Sequence, residues 1–430
     1  MNKIACFLLA AMLCCFVSAN AQPLSLSYAS PEKENFSAER LARIDKIVQK
    51  YIDSGWINGG IAIIAKNGHI VYHKAIGYED ITSKNPLKKD AIFRIASQTK
   101  AITSVAIMQL VEAGELLLND PISKYIPAFK KPRVLEKFNR ADSSYTSVPA
   151  KKEITIRELL THTSGIGYAQ IGNDTMNMIY AKAGVVGGIG LKGGLLADNI
   201  LALAKLPLLH QPSEKFTYGL NTDVLGYLVE VVSGMSLSDY FSKNIFAPIG
   251  MKDTYFYLPK EKQGRLTMLY TEDSNKHAVK MPEMIRLNGS FYRDYPNLAG
   301  GSFYSGGGGL VSTAYDYAQF MQMLLNGGDY NGHHILSKAS IRIMTTNQIG
   351  NIFSGKGINK FGLGFEIVTP SNYGQSYYSM DSFSWGGMFS STYWIDPKEK
   401  IVGQFVLQMY PSSHSDINEK FKVQVYQALQ

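Results

Sequence analysis

Four consecutive residues, Ser97-Gln98-Thr99-Lys100, could supply a nucleophile and its base. A serine at the start of a helical pattern and a lysine three positions on share one face, roughly one turn apart. A helix N-terminus adds free N–H groups and a positive field at the serine. A lysine held out of water beside the hydroxyl can give up its proton and act as base, which prepares the serine to attack an acyl carbon. S-x-x-K fixes only two positions and arises by chance; Ser30-Pro31-Glu32-Lys33 is a second copy. Context separates the two. Ser97 follows Phe93-Arg94-Ile95-Ala96 and precedes a strongly apolar helix with Ile102, Val105, Ile107, Leu110 and Val111. Such a helix is buried and holds the pair rigidly at its start.

Three other segments carry usable chemistry. Tyr218 stands in Phe216-Thr217-Tyr218-Gly219-Leu220-Asn221, a loop before a helix that starts near Asn221. A phenol there can face a cleft and relay a proton. With 26 tyrosines in the chain, one alone carries little weight. His162, in Leu159-Leu160-Thr161-His162-Thr163-Ser164-Gly165, could be a general base or a buried helix-end histidine bonded to backbone; the second reading is favoured. Ser384-Trp385-Gly386-Gly387-Met388 immediately precedes a β run ending at Asp396-Pro397. Paired glycines permit close backbone approach by a ligand. A backbone N–H there, with that of Ser97, could form an oxyanion hole; a simple turn with a packed tryptophan fits the same residues.

The elements that must position these groups are legible in outline. Leu41, Ile44, Ile47, Val48 and Tyr51 recur at helical spacing over 38–54. Two β-rich runs, 60–66 and 69–74, flank Asn67-Gly68, a strong hairpin signal. A helix over 98–113 ends at Gly114. The middle of the chain reads as helical patterns broken by Gly and Pro, clearest at 221–232 and 314–326. Strands return at 361–368, 390–395 and 401–408, and a helix over 417–429 closes the chain. The fold class expected is α+β: one antiparallel sheet built from both ends and covered by helices (about 38–113 and 336–430), with a helical part between (about 114–335). The cleft between the two parts is the expected site.

Composition narrows the setting. Of 430 residues, 45% are hydrophobic, enough for a large core. Lys3, an apolar run from Ile4 to Val17 and Ser18-Ala19-Asn20-Ala21 read as a signal peptide, residues 1–21. That run is too short to span a bilayer, which needs about 20 residues. No later segment spans either. All three cysteines (Cys6, Cys14, Cys15) fall in the leader, so the mature chain, 22–430, uses no disulfide. The bacterial periplasm or cell exterior is the expected location. The net charge of +8 comes from scattered pairs such as Lys88-Lys89, with no nucleic-acid-binding stripe. His333-His334 lacks metal-ligand spacing, and Gly306–Gly309 is not followed by a P-loop's Lys-Ser/Thr. No cofactor and no metal are expected.

Taken in order, the motifs resemble the serine β-lactamase and penicillin-binding-protein superfamily, and among its members the class C β-lactamase-like esterases and D-peptidases. The resemblance covers about 38–428. It rests on Ser97-Gln98-Thr99-Lys100, residues 114–127 (GELLLNDPISKYIP), LLTHTSG at 159–165, Tyr218, GGGLVST at 307–313 and Trp385-Gly386-Gly387. It implies that Ser97 is acylated, that Lys100 activates it and that Tyr218 shares proton transfer. It also implies an oxyanion hole from the N–H groups of Ser97 and Met388, with Trp385, Gly386 and Gly387 lining the substrate site. Two departures stand out. Leu220 lies where the family's Tyr-x-Asn has asparagine, so Asn221 comes one position late. Trp385 replaces the Lys or His that opens the family's third motif and holds a substrate carboxylate. Tyr-x-Leu followed by Asp223-Val224-Leu225-Gly226, together with Trp-Gly-Gly, is the esterase-type pattern. The leading expectation is therefore a carboxylesterase-like serine hydrolase acting on a small ester or amide. A β-lactamase or D-amino-acid peptidase is the alternative, and a non-catalytic envelope-binding protein on the same scaffold is a second.

The leader reading predicts that exported protein begins at Gln22. Intact-mass measurement checks it; a retained leader or a lipidated Cys14 or Cys15 would overturn it.

Overall fold

The computed structural model describes residues 25–287, 289–354, 359–375 and 377–430. The expected leader, with its cysteines and its cleavage site, lies outside them.

A mixed nine-stranded sheet forms the backbone of the fold. Its path runs Ser27–Tyr28, His69–Asp80, Gly59–Lys66, Ile401–Val406, Ser391–Asp396, Phe383–Gly387, Glu366–Ile367 and Lys360–Phe361, with Asn85–Pro86 paired off this path to His69–Asp80. All neighbours are antiparallel except the first pair. The two chain ends meet at the centre, where Gly59–Lys66 pairs with Ile401–Val406. The hairpin at Asn67-Gly68 forms as expected: both residues have positive φ, 53° and 80°, which a two-residue turn of this hand requires.

The central strands Ile401–Val406 and Ser391–Asp396 are buried along their whole length because both sheet faces are covered. Ile61, Ile63 and Ala65 point into one core, and Ala62 and Ile64 into another. Tyr393 and Ile395 share the first core; Trp394 belongs to the second. Helices Ala38–Asp53 and Ile417–Tyr426 cover the second face through Leu41, Ile44, Val48, Tyr51, Ile417, Phe421 and Val425. Each fully buried large aliphatic or aromatic side chain contributes roughly 1.5–3 kcal/mol. Helices Thr99–Glu112 and Ala314–Leu325 lie on the first face. Thr99–Glu112 is buried nearly all round, as its uninterrupted apolar sequence implies.

Four expectations need correction. The run 361–368 is not one strand: Lys360–Phe361 and Glu366–Ile367 pair with each other across a turn in which Gly364 has φ 97°. Added side-chain bulk at Gly364 would strike Ser104 of the buried helix. The middle of the chain is less uniformly helical than it reads. It carries hairpins Arg133–Asn139/Ser144–Pro149, Tyr270–Glu272/Ala278–Lys280 and Met284–Arg286/Ser290–Tyr292. These strands are short and mostly exposed, so their alternation is weak in sequence. Trp385-Gly386-Gly387 does precede the expected β run, Ser391–Asp396, but is not a simple turn: it lies in a strand of its own, Phe383–Gly387, which pairs with that run. The buried helix starts at Thr99, after a 3₁₀ turn over Ala96–Gln98.

Helix Ala314–Leu325 shows how a buried acid can tie elements together. Thr313 caps it, accepting the Asp316 N–H at 3.1 Å. The Asp316 carboxylate accepts the Asp253 N–H at 2.7 Å and the Thr254 hydroxyl at 2.9 Å. Burial pushes its carboxyl from 3.8 up to about 6. The folded state thus binds this proton more tightly than the unfolded chain. Its contribution is full below pH 3.8 and is lost as pH rises towards 6. Relative to Asp316→Asn, the wild type should lose stability, on the order of 3 kcal/mol, between about pH 4 and pH 6.5. Urea unfolding of both proteins across that range checks this; a pH-independent difference would refute it.

Candidate active site

The nucleophile turn is held from several sides. Strand Phe93–Arg94 pairs with Val311–Ser312, and the Ile95 N–H donates to the Leu310 carbonyl at 3.1 Å. Arg94 is fully buried and donates to the carbonyls of Arg293 and Thr267, at 2.7 and 2.8 Å, and to Gln408 Oε1 at 3.2 Å. Removal from water brings its guanidinium down to about 10. Ala96 then turns the chain in the left-handed region, φ 45°. A residue with a Cβ loses about 1–2 kcal/mol there. The Tyr317 hydroxyl donates to the Gln98 carbonyl at 3.0 Å, and the Gln404 amide donates to Gln98 Oε1 at 2.8 Å. Ser97 emerges from this turn half-buried, at the mouth of the helix.

Two groups converge on the Ser97 hydroxyl. Tyr218 O–H donates to Ser97 Oγ at 2.7 Å, and Lys100 Nζ donates to it at 3.3 Å. Lys100 Nζ also donates to the Gly307 carbonyl at 2.6 Å. It lies 4.6 Å from the ring centroid of Tyr218 and 5.5 Å from that of Tyr168. The Lys100 residue is only 2% exposed.

Tyr218 is fixed from behind. Its ring is 4.9 Å from His162, 5.6 Å from Tyr168 and 5.4 Å from Trp385. His162 has φ 55°, and its carbonyl accepts the Thr217 N–H at 2.7 Å. Burial, and then the charge of Lys100, hold this imidazole well below its ordinary titration range. It is a neutral packing and hydrogen-bonding residue behind the tyrosine.

Asn221 does not reach the cleft. It is fully buried, accepts from the Ser164 hydroxyl, and donates to His162 Nδ1 at 3.0 Å and to the Ile166 carbonyl at 3.4 Å. The one-residue displacement noted in the sequence turns it inward, where it joins the His162 loop to the helix that follows Tyr218.

The third wall is strand Phe383–Gly387. Its pairing with Glu366–Ile367 stops at Ser384, so on that side Trp385, Gly386 and Gly387 face the cleft instead of a strand. A methyl on Gly387 would come within 2.6 Å of the Ile95 carbonyl oxygen. Only glycine lets this strand approach the nucleophile turn so closely. Trp385 packs against Tyr218 and, edge-on, against Phe361 at 5.4 Å. Met388 packs with Phe389 and its neighbours and lines the same cleft.

The cleft measures about 580 Å³ and brings together Ser97, Tyr218, Trp385, Gly386, Gly387 and Met388. Lys100 lies behind Ser97, outside the lining. Sequence reasoning missed the far walls, Ile171, Tyr410 and Pro411, with Ser412, Ser415 and Asn418 beyond them. Nothing in their local pattern marks them. It also noted the 307–313 segment without assigning the Gly307 carbonyl. Among the described residues, the lining contains no charged side chain, and no three-residue His, Cys, Asp or Glu group could hold a metal.

This sheet, its helices and the Ser-Lys-Tyr constellation define a β-lactamase/transpeptidase-like fold. Residues 44–425 match the beta-lactamase family model, and the chain belongs to that family. Esterase EstB of Burkholderia gladioli is 31% identical over 295 residues, covering 67% of this chain and 71% of EstB. Lovastatin esterase of Penicillium rubens is 28% identical over 409 residues, covering 89% and 98%. Among solved structures, EstCE1, described as a hydrolase with promiscuous acyltransferase activity, superposes with TM-score 0.76 at 26% identity, covering 90% of this chain and 99% of EstCE1. An octameric penicillin-binding protein homologue from Pyrococcus abyssi gives 0.64 at 25%, covering 88% and 76%.

The inward position of Asn221 makes it a stability residue. Asn221→Ala leaves Ser164 Oγ and His162 Nδ1 short of a partner in a dry site, at about 1–3 kcal/mol for each group left unsatisfied. Urea denaturation should show that loss, with Ser97 still labelled by a fluorophosphonate at temperatures where the variant is folded. Unchanged stability with abolished labelling would move Asn221 into the reacting set.

Proposed function

We propose that the protein is an exported carboxylesterase-type serine hydrolase that forms an acyl-enzyme on Ser97. One observation carries the reading: Tyr218 Oη and Lys100 Nζ converge on Ser97 Oγ, at 2.7 and 3.3 Å, at the edge of a cleft with no charged lining residue among those described.

The chemistry follows from that arrangement. Lys100 Nζ accepts the Ser97 proton while Oγ attacks the ester carbonyl. The carbonyl oxygen becomes an oxyanion, received by the N–H groups of Ser97 and Met388. The carbon–oxygen bond to the leaving alcohol breaks, and Tyr218 passes a proton to that alcohol. Water then attacks the acyl-serine with the same groups running in reverse, releasing the acid and restoring Ser97. The family relationship to EstB and lovastatin esterase supports ester chemistry. Trp385 gives the cleft a flat apolar wall where a cation would otherwise hold a substrate carboxylate. Neutral acyl and alcohol groups suit such a wall.

Ser97→Ala should abolish turnover of p-nitrophenyl butyrate with the fold intact. Lys100→Ala and Tyr218→Phe should each lower kcat on the order of 10²-fold or more, because both serve proton transfer in the transition state. Near-normal kcat in Lys100→Ala would be fatal to this mechanism.

A charge-assisted contact to a β-lactam carboxylate is worth about 1.5–3 kcal/mol, or roughly 10–100-fold in rate. Wild-type protein should therefore hydrolyse the butyrate faster than nitrocefin, and Trp385→Lys should raise the nitrocefin-to-ester ratio. Faster nitrocefin hydrolysis by the wild type would favour the β-lactamase or D-peptidase reading.

A further inference from the structure

The turn Ser305–Gly309 closes the back of the site, and the proposed mechanism leaves one of its supports unused. On one side the turn hangs from the Lys100 helix. Thr103 Oγ1 donates to the Gly306 carbonyl at 2.7 Å, and the Leu310 N–H donates to Thr99 Oγ1 at 3.2 Å. On the other side it is held by Asp223, in the helix Asn221–Ser233. Asp223 Oδ1 accepts the Ser305 hydroxyl at 2.5 Å and the Gly307 N–H at 3.3 Å.

Asp223 is an unusual residue to find here. It is 1% exposed, and its Oδ2 has no hydrogen-bond partner. Burial holds its carboxyl above the usual carboxylate range, against the opposing pull of the Lys100 charge and of hydrogen bonds from Ser305 and from the N–H groups of Gly307 and Asp223 itself. A buried carboxylate with one oxygen unsatisfied is costly in stability alone. The packing around it is also tight. A methyl on Gly307 would collide with the carboxylate, and a methyl on Gly188 would come within 2.6 Å of Ser305 Oγ and 3.1 Å of Asp223 Oδ1. Two glycines thus leave room for an acid that is hydrogen-bonded to the turn through Ser305 and Gly307.

The turn's output is the Gly307 carbonyl, which accepts from Lys100 Nζ at 2.6 Å. Resting on the Ser97–Lys100 reading above, we propose that Asp223 is a positioning residue for Lys100: it anchors the Ser305–Gly309 turn so that the Gly307 carbonyl fixes the lysine amine beside Ser97. Asp223 touches neither the cleft nor the reacting atoms. Its hydrogen bonds act on the lysine through the Gly307 backbone, alongside the direct attraction between its carboxylate and the Lys100 charge.

The test compares kcat and KM for p-nitrophenyl butyrate across Asp223→Ala, Asp223→Asn, Gly307→Ala and the double variant Asp223→Ala/Gly307→Ala, with thermal unfolding to confirm folding. Asp223→Ala should lower kcat on the order of 10-fold or more with KM within about twofold, because the lysine acts in proton transfer and not in substrate binding. Asp223→Asn keeps an oxygen acceptor of the same shape and should restore most of that kcat. Gly307→Ala should lower kcat by driving its new methyl against the carboxylate. With the carboxylate removed, the same methyl should do little further harm, so the losses are non-additive. Strictly additive losses, an unchanged kcat in Gly307→Ala, or a loss confined to KM would overturn the proposal. If Asp223→Ala does not fold, Asp223→Asn and Gly307→Ala carry the test.

A structural readout separates this proposal from the function it rests on. In a crystal structure of Gly307→Ala or Asp223→Ala, Lys100 Nζ should have left the residue-307 carbonyl; a retained contact overturns the proposal whether or not the wild type is an esterase. Conversely, absent ester turnover and absent fluorophosphonate labelling of wild-type Ser97 would overturn the esterase reading while the crystal result still decides the role of Asp223.

Discussion

A lysine amine almost wholly removed from water needs acceptors, and the site is arranged to supply them. Lys100 finds the Gly307 carbonyl and Ser97 Oγ, and the faces of Tyr218 and Tyr168 close around it. None of these partners comes from the lysine's own helix except Ser97, just ahead of it. The glycine turn comes from about 200 residues downstream, and Tyr218 from a separate loop. Each must therefore be carried to one point by the packing of otherwise unrelated elements. Holding an ionisable group in a dry pocket is tolerable only when such partners are fixed in advance.

The sheet supplies the rigidity. Because both its faces are buried, its strands cannot shift by a residue without moving hydrophobic side chains from one core to the other. That constraint fixes the height of strand Phe383–Gly387, which sets Gly387 against the Ile95 carbonyl. The same side of the sheet receives the Lys100 helix, so the nucleophile turn and the open strand edge have a common reference. Buried Arg94, bonded to carbonyls from two other segments, holds the strand before the nucleophile. The strained backbone at Ala96 is maintained by these surroundings, not by local preference.

The outer walls of the cleft are built by a different set of residues. The catalytic side of the cleft is polar and closely hydrogen-bonded, but its outer walls are Trp385, Ile171, Tyr410 and Pro411. Without a charged side chain in the described lining, these walls present apolar surface together with the neutral hydroxyl and amide groups of Ser412, Ser415 and Asn418. The groups hydrogen-bonded to Ser97 and the outer walls of the cleft are physically separable. One depends on a few ångströms around Ser97, the other on the loops that surround it.

Features encoded over a few neighbouring residues are legible in the chain alone. The Asn67-Gly68 hairpin, the helix at 38–53, the buried helix after Ser97 and the closing helix are each written in spacing and turn chemistry. The order of Ser97, Lys100, Tyr218 and Trp385 carried the family resemblance, and residues 44–425 match that family. The single extra residue before Asn221 was visible too, but not its consequence. Long-range packing turns Asn221 inward to His162 and Ser164, makes Trp385-Gly386-Gly387 a strand in its own right, and sets Tyr410 and Pro411 as walls of the cleft. It also joined Asp223 to the turn that receives Lys100. The physical reason is the same in each case. A residue's period and its neighbours specify its own helix or strand, whereas a contact across 80 or 200 positions depends on how whole elements pack. No local pattern records which surfaces will meet.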